Sequence, residues 1–563
     1  MTKRERLQFL SVWLLLGLLP LFIRPLWEPD ETRYAEIPRE MLATGDWLSP
    51  RLQGLLYFEK PPLQYWLSAA SMKLFGLNAV AARLPLALAS ALAMWAAWRL
   101  AWRMGARRPV WAAVMASACM LGFITGQLLT LDALFTAFLL AALAAAIEAV
   151  TARAGAHAEG RPALGWTLLA FAALAAAMLT KGLAGPVILG GVLLFSLPVA
   201  WGDPPVRRAV LRVGFHPAGW ALFAALAGPW FWLVDRAHPG HAAYFFIHEH
   251  FARFSSNVHS RQGSSNPLLD KFYFIGVLAV GLLPWLSMAA LGLKRGLLFV
   301  RRASGPVLQG ATLRRWTVAA VWWSALWPFL FFTLSGSKLP PYVLPCIVPM
   351  MVLACVFEQE GEEPASLRRV AVELLVLALV LMAAAVLFRE DVDGEGWAFA
   401  AGLAYGLLGL WALRPVGLDA NRWIAALAGC FLLLAHAGDR AVSLDKDPGP
   451  MVRLAPPNAQ WISYGIHFHG LPFHARQRVA VVAGTGELAD GRARAGEAER
   501  GRWIPEHPED LLPLARRMRA EHPERPVMAL AKARDWDQAP AAARAAFRER
   551  HRRHDMVLLE LDD

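Results

Sequence analysis

The sequence predicts a polytopic α-helical membrane protein that ends in a soluble α/β domain. Apolar residues make up 56% of the 563 residues. They gather into runs about 20 residues long, which is the length a helix needs to cross a hydrocarbon core of about 30 Å. Only 18% of the residues are charged, and the mean hydropathy is +0.38, whereas about a quarter of a soluble protein is charged. A cytosolic enzyme, a secreted module and a disordered chain are thereby excluded.

We expect about 13 transmembrane helices in the first 438 residues. The apolar runs lie near residues 8–26, 79–98, 110–128, 133–150, 164–180, 184–201, 218–234, 273–292, 317–334, 342–357, 370–388, 396–413 and 423–438. The first run is too long for a cleaved signal peptide, and no small-residue cleavage site follows it. We therefore interpret it as a span.

Lysine and arginine set the orientation, because they gather in alternate connections such as residues 99–108 and 294–302. The positive-inside rule places these connections and the N terminus in the cytoplasm. An odd number of spans then places residues 439–563 on the outer side, together with two large loops, 28–64 and 235–272. The net charge of +12 mostly serves this topology, although it also favours acidic lipid partners.

The first outer loop opens with a dense group of charges. On a helix that starts near Pro29, Asp30 and Arg33 would share a face at i,i+3, and so would Arg33 and Glu36. An ordinary interfacial helix held by ion pairs would explain this pattern. A carboxylate–guanidinium site at the membrane surface is the functional alternative, since such charge at the exit of a span is costly.

Three lysines lie on the outer side, where the orientation rule predicts few basic residues. Lys60, Lys181 and Lys338 each occupy a short turn that contains Gly or Pro. Snorkelling toward the interface would explain Lys60 on its own. Together the three predict a cationic pocket that holds a phosphate.

Asp132 stands at the outer start of a span, beside the predicted pocket. A carboxylate at this depth is a functional candidate by default. The alternative is that Asp132 caps the helix that follows it.

The second large loop contains an aromatic segment, Tyr244–Phe254, whose pattern is typical of an interfacial helix. His248 and His250 could bind a metal ion together with Glu59, but residues at i and i+2 diverge on a helix. Glu249 and Arg253, at i,i+4, form an ordinary helix pair. We expect no essential metal, and these ligands leave room only for an incidental zinc ion.

Residues 439–563 are rich in Arg, Glu, Pro and Gly, and they contain no run that could span a membrane. Short apolar strands and amphipathic helices predict a small α/β domain. The strands are Val479–Val482, Val527–Leu530 and Met556–Leu561, and the helices are Pro508–Arg519 and Ala539–Arg550. His467, His469 and His474 are expected in a loop. Phosphate-loop motifs in a credible context are absent from the sequence, which gives no support for a nucleotide cofactor or a nucleic-acid partner.

Several of these segments resemble one known family. The segment PDETRYAEIPREMLATGDWLSPRLQGLLYFEKPPLQYW, with TLDALF, LTKGLAGP, HEHFARF and SGSKLPPYVLP, is similar to the aminoarabinose transferases that modify lipid A (ArnT), which use a polyprenyl-phosphate-linked sugar. The resemblance covers the membrane part nearly end to end. It reaches the C-terminal domain by position only.

The resemblance implies a GT-C architecture, with interfacial helices in the outer loops and a periplasmic C-terminal domain. It implies transfer of 4-amino-4-deoxy-L-arabinose from undecaprenyl phosphate to a lipid A phosphate at the periplasmic face of the bacterial inner membrane. Because the leaving group is itself a phosphate, direct attack by the acceptor is the economical mechanism, and it predicts inversion at the sugar carbon. Such transfer lowers the negative charge of lipid A and gives resistance to polymyxin and cationic peptides. No cofactor is implied.

The family's catalytic aspartate falls on Asp30, for which we prefer electrostatic stabilisation of the transition state, and Asp132 is the second carboxylate candidate. Arg33 and Lys60 match the donor-phosphate contacts, and we expect Lys181 and Lys338 to join them. The residues expected to line the substrate cavity are Tyr34, Glu36, Glu59, Tyr342 and Arg253.

Two alternatives remain. A protein O-mannosyltransferase, or another enzyme that uses a lipid-linked sugar, would share the same architecture. A lipid transporter or flippase would also place charges in a bundle, but transporters favour internal repeats and charges at the midplane. The sequence shows no repeat, and its charges cluster at one rim.

Overall fold

The computed structural model describes residues 1–154, 160–252, 266–302, 311–359, 361–387, 395–414 and 419–562. These residues form a bundle of apolar helices followed by a small α/β domain, which confirms the predicted fold class. We call residues 449–562 the tail domain, and the side of the bundle on which it sits the tail side. The helices of the bundle are Lys3–Val12, Trp13–Leu18, Leu19–Phe22, Asp30–Thr44, Leu63–Phe75, Ala79–Arg103, Val110–Ser117, Met120–Gln127, Leu131–Ala154, Gly160–Lys181, Ala184–Ala200, Pro204–Gly214, Pro217–Ala237, His241–Ala243, Tyr244–Ala252, Pro267–Gly281, Leu286–Arg302, Ala311–Thr333, Pro340–Val343, Leu344–Val356, Glu363–Leu387, Glu395–Ala412 and Ala420–Lys446.

The predicted number of 13 spans is not confirmed. Eight described helices are long and apolar enough to cross a membrane, and up to ten spans result if two bent helix pairs are counted as one span each. The pairs bend by 72° and 114°, and other apolar helices, such as Ala184–Ala200, are shorter than a full span. A hydropathy run therefore marks an apolar segment but does not measure how straight or how long its helix is.

The two bends lie against each other, which satisfies their backbone groups. The Met120 amide donates to the Leu283 carbonyl at 3.0 Å, and the Trp285 indole donates to the Ala118 carbonyl at 2.8 Å. The carboxylate of Glu373 accepts hydrogen bonds from the backbone amides of Leu286 and Ser287, which begin the helix Leu286–Arg302 after the second bend. Broken helices persist in a bilayer only where other groups satisfy the freed backbone in this way.

Burial divides the bundle into a centre and a periphery. The helix Leu131–Ala154 is buried almost all round. By contrast, Glu363–Leu387 exposes Leu379 and Leu387, whose side chains are 68% and 75% accessible. Such a continuous exposed apolar surface is stable only against lipid, so the structure is that of a multi-pass membrane protein.

The tail domain contains a five-stranded mixed sheet. The sheet consists of β3 (Gln460–Tyr464), β4 (Ala480–Val482), β5 (Val527–Lys532), β6 (Phe547–Arg553) and β7 (Met556–Leu561). The strands are numbered from the first loop, where a short hairpin contains β1 (Arg51–Leu52) and β2 (Leu55–Leu56). The order is β4-β3-β5-β7-β6, parallel among β4, β3 and β5 and antiparallel at β7 and β6. The helices are Gly449–Arg453, Gly470–Ala475, Gly486–Leu488, Ala489–Arg494, Glu497–Trp503, Pro508–Asp510, Leu511–Glu521, Ala533–Asp537 and Ala541–Ala546.

The three predicted strands and the helix at Pro508–Arg519 are confirmed, whereas the helix at Ala539–Arg550 is wrong in its second half. The helix ends at Ala546, and Phe547–Arg553 continues as β6. The charged sequence of β6 hides its character, because β6 is an edge strand that exposes its arginines. The interior strand β3, which lies between β4 and β5, was not predicted.

The tail domain packs directly on the first loop. Phe473, Val481 and Leu488 of the tail join one buried cluster with Tyr34 and Leu52. The side-chain amide of Gln53 in the turn between β1 and β2 lies 3.2 Å from the Val479 amide, from which it accepts a hydrogen bond. The first loop and the tail therefore form a common layer over the bundle.

Candidate active site

The helix Asp30–Thr44, which we call the loop helix, begins where the first span has ended. Arg33 Nη2 donates to Asp30 Oδ1 at 2.5 Å, so the predicted i,i+3 pair is confirmed. Only 4% of the Arg33 side chain is exposed, against 59% for Asp30. The guanidinium is thus held in place, while the carboxylate remains accessible to a ligand.

A second carboxylate reaches Arg33 from the tail domain. Glu487 forms an ion pair with Arg33 Nη1. The Nε atom of Arg33 is buried and has no hydrogen-bond partner within the described part of the chain. Buried donors are normally paired, so an anionic ligand such as a phosphate would complete the coordination of this guanidinium.

Glu36 does not pair with Arg33, contrary to expectation. Its carboxylate accepts two hydrogen bonds from Arg39, at 2.6 and 2.7 Å, and its side chain is fully buried. Burial, opposed by Arg39, raises the pKa of Glu36 to about 8. Glu36 is not among the residues that line the cavity described next, so the structure does not support its predicted place there.

A cavity of about 320 Å³ lies at the tail-side ends of the helices. Lys60 and Lys181 both line it, together with Glu59 and Tyr342, as the sequence predicts for these four. The remaining lining residues are mostly apolar: Leu183, Ala184, Val187, Phe245, Glu249, Phe331, Phe332, Ser335 and Ser337. Two ammonium groups on an apolar wall suit an anionic lipid head group.

Asp132 and Lys181 meet because their helices are consecutive and antiparallel. Asp132 is in the first turn of Leu131–Ala154, and Lys181 is the last residue of Gly160–Lys181. Lys181 donates to the Asp132 carboxylate, and its Nζ lies 4.3 Å from the centroid of the Tyr342 ring. Each charge also suits the dipole of its own helix end.

Lys60 is held by the aromatic segment of the second large loop. Lys60 Nζ lies 3.2 Å from Glu249 Oε2 and 3.9 Å from Glu59 Oε2. We expected Glu249 to pair with Arg253, which lies outside the described residues. The side chains of His248 and His250 are also not described, so the predicted incidental zinc site stays a prediction.

Lys338 is buried but does not line the cavity. Its Nζ donates to Asp270 Oδ2 at 2.5 Å and to the Ser335 carbonyl at 2.9 Å. Its neighbours Ser335 and Ser337 do line the cavity. Only 4% of the Lys338 side chain is exposed, so it does not lie on a lipid-facing surface. Its contact with the donor phosphate stays a prediction.

Tyr34 lies beside the Arg33 guanidinium. Its ring stacks on Tyr65 at 5.8 Å, and the Arg33 guanidinium lies 5.4 Å from it. Burial raises the pKa of Tyr34, and Asp30, Asp132 and Glu59 raise it further, although Arg33 opposes them. Tyr34 is thus within electrostatic reach of three carboxylates on different elements.

Sequence reasoning missed the tail's contribution to this region. The rings of His467 and His469 stack at 4.1 Å, and His469 Nε2 lies 3.5 Å from Glu487 Oε2. Burial, followed by the charge of Arg33, lowers the pKa of His467 to about 3, and burial also lowers that of His469. The segment HFHGLPFH was the available signal, but nothing in it shows that it contacts the loop helix.

A known protein family and a solved structure share this architecture. A family model described as dolichyl-phosphate-mannose-protein mannosyltransferase matches residues 4–241. The crystal structure of ArnT from Cupriavidus metallidurans bound to undecaprenyl phosphate matches with a TM-score of 0.78 and 25% identity, covering 100% of this chain and 98% of that one. The fold and the site therefore define a membrane-embedded glycosyltransferase.

Curated relatives identify the family. The undecaprenyl phosphate-alpha-4-amino-4-deoxy-L-arabinose arabinosyl transferase of Edwardsiella ictaluri is 31% identical over 80% of each chain. The enzyme with the same name from Pseudomonas aeruginosa is 32% identical over 77% of this chain and 76% of its own. The chain belongs to this family of arabinosyl transferases.

Proposed function

We propose that the protein transfers 4-amino-4-deoxy-L-arabinose from undecaprenyl phosphate to a phosphate of lipid A. The cavity is the structural observation that supports this proposal, because Lys60 and Lys181 lie in its apolar wall at the tail-side ends of the helices. Family membership supports the identity of the donor. The acceptor and the reaction at the periplasmic face of the inner membrane are our extension.

The donor has an isoprenoid tail and an anionic phosphate, and the site offers a match for each. Phe331, Phe332 and Val187 supply apolar surface. Lys60 and Arg33 supply charge-assisted contacts to phosphate, each worth about 1.5–3 kcal/mol. Lys181 would add a third cation if its ammonium group left Asp132, with which it pairs in the structure, and bound the phosphate instead.

Transfer requires one substitution at the anomeric carbon of the sugar. An oxygen of the acceptor phosphate attacks this carbon and forms the new bond, while the bond to the prenyl phosphate breaks, so the configuration inverts. The acceptor is already ionised near neutral pH, and the leaving group departs as a phosphate. No proton has to be removed, which leaves Asp30 to stabilise positive charge developing on the sugar.

The same chemistry makes a metal ion unnecessary, since both phosphates can be held by the cationic side chains. We expect transfer by the purified protein to continue in the presence of a chelator. Activity that disappears with the chelator, and returns with one specific divalent ion, would contradict this part of the proposal.

Mass spectrometry of lipid A from cells with and without the gene tests the function. Aminoarabinose adds a defined mass to lipid A only when the gene is present, and the Asp30→Asn variant should lose most of this product. The match to the mannosyltransferase family model favours a second candidate, protein O-mannosylation. Unchanged lipid A with gene-dependent glycoproteins would favour that candidate, and transport without any new covalent product would contradict both.

A further inference from the structure

One segment of the tail domain closes over the loop helix and the aromatic segment. We call residues 486–494 the roof segment; it consists of the short helices Gly486–Leu488 and Ala489–Arg494. Asp490 accepts a hydrogen bond from the Tyr244 hydroxyl at 2.7 Å, and the Arg494 guanidinium lies 4.6 Å from the Tyr244 ring. The roof segment therefore touches the element that holds Lys60.

Close packing against the first loop fixes the position of the roof segment. A Cβ atom at Gly491 would lie 2.8 Å from the Leu56 carbonyl and 2.9 Å from Leu55 Cβ, so only glycine allows this approach to β2. Leu488, two per cent exposed, is buried in the cluster that also contains Tyr34. These contacts on both sides hold Glu487 against Arg33.

Two carboxylates share one guanidinium at Arg33. Asp30 and Glu487 both pair with it, and burial keeps His467 and His469 uncharged at neutral pH. A donor phosphate that takes Arg33 displaces a carboxylate from this guanidinium, while Lys60 and Lys181 lie at the cavity. A carboxylate that loses its counter-charge in a partly buried site is costly, so a ligand that also supplies a cation is favoured.

We propose that Glu487 recognises the amino group of the donor sugar and thereby selects an aminosugar. In the structure its carboxylate pairs with Arg33; when the donor phosphate takes Arg33, the carboxylate turns to the neighbouring ammonium group. This proposal rests on the proposed function, because it requires the donor to be a phosphate-linked aminosugar. In such a donor the amino group lies only a few bonds from the phosphate that Arg33 would bind. It makes the tail domain a part of the substrate site.

The test compares two donors with the purified full-length protein. One is undecaprenyl phosphate-linked 4-amino-4-deoxy-L-arabinose, and the other is its 4-formamido derivative, which has no positive charge. We expect Glu487→Gln to lower kcat/KM for the amino donor by about tenfold to a hundredfold, as for the loss of a charge-assisted contact. The rate with the formamido donor should be nearly unchanged, so the preference between donors collapses.

Two further variants make the result decisive. Glu497→Gln alters an exposed carboxylate of the same domain and should keep the normal preference. Glu487→Asp keeps the charge and should keep part of the preference, which covers the case in which the glutamine variant does not fold. Equal loss with both donors would show that Glu487 only positions Arg33, and an unchanged preference would overturn the assignment. Failure of the unaltered protein to transfer either sugar would instead contradict the proposed function.

Discussion

Neighbouring residues of the loop helix belong to two very different ion clusters. Glu31 points inward, where it accepts hydrogen bonds from Arg24, from Arg83 and from the backbone amide of Leu129. The side chains of Glu31, Arg24 and Arg83 are all almost completely buried. Asp30, one position earlier, points outward and shares Arg33 with Glu487. The first cluster is closed, whereas the second leaves one carboxylate accessible and one guanidinium nitrogen without a partner among the described residues.

The difference separates a structural role from a chemical one. In the closed cluster, Glu31 pairs with both Arg83 and Arg24, which hold the first span and the span Ala79–Arg103 against the loop helix. Although burial opposes its ionisation, these two arginines lower the pKa of Glu31 to about 2. The carboxylate of the closed cluster is already fully hydrogen-bonded and buried, so it cannot bind a substrate. The open cluster has an exposed carboxylate and a guanidinium nitrogen that a substrate can contact.

The largest effect on stability should come from opening the closed cluster. Glu31→Ala leaves two buried guanidinium groups without their carboxylate, which typically costs about 3–5 kcal/mol. We expect a large loss of thermal stability in detergent, measured as a fall in Tm. Glu497→Ala, which alters an exposed carboxylate, is the control. An unchanged Tm for Glu31→Ala would show that the cluster is not structural.

In the open cluster we expect a large effect on rate with little effect on stability. Asp30→Asn removes one preorganised charge from the site and should lower kcat by about a hundredfold or more. Donor binding, which rests on Arg33 and Lys60, should survive and can be measured separately with labelled undecaprenyl phosphate. Wild-type turnover in this variant would make Asp132 the catalytic candidate.

A smaller effect is expected at the rim of the open site. Lys60→Ala removes one phosphate contact and should weaken donor use by about tenfold to a hundredfold. Lys73→Ala, at an exposed position of the following helix, is the matched control. Full transfer by Lys60→Ala at normal expression would contradict its role as a phosphate ligand.

The smallest expected effect concerns the boundary between the loop helix and the tail. Glu28 accepts hydrogen bonds from the Gly470 and His469 amides, and burial raises its pKa from 4.5 to about 7. A carboxyl with a raised pKa stabilises the fold most below pH 4.5, and this contribution disappears as the pH rises through 7. The difference in unfolding free energy between wild type and Glu28→Gln should therefore change across this range. A constant difference would show that Glu28 does not titrate there.

How far the sequence predicts the site depends on how local each contact is. The Asp30–Arg33 pair follows from helical spacing, and Asp132 and Lys181 follow from two consecutive antiparallel helices. Glu36 was assigned to the wrong arginine because Arg33 and Arg39 are both three residues away, and spacing cannot distinguish them. Lys338 pairs with Asp270, 68 residues earlier, which no local pattern indicates.

By itself the sequence determined the membrane class, the positions of the apolar helices, most strands of the tail and the motifs of the family. These properties depend on composition and on periodicities of a few residues, which a linear pattern contains. Only the tertiary structure decided that the two bends satisfy each other, that Glu31 turns inward while Asp30 turns outward, and that Glu487 reaches Arg33 across 454 positions of sequence. Such contacts depend on how distant elements pack, since burial and charge pairing act through space rather than along the chain.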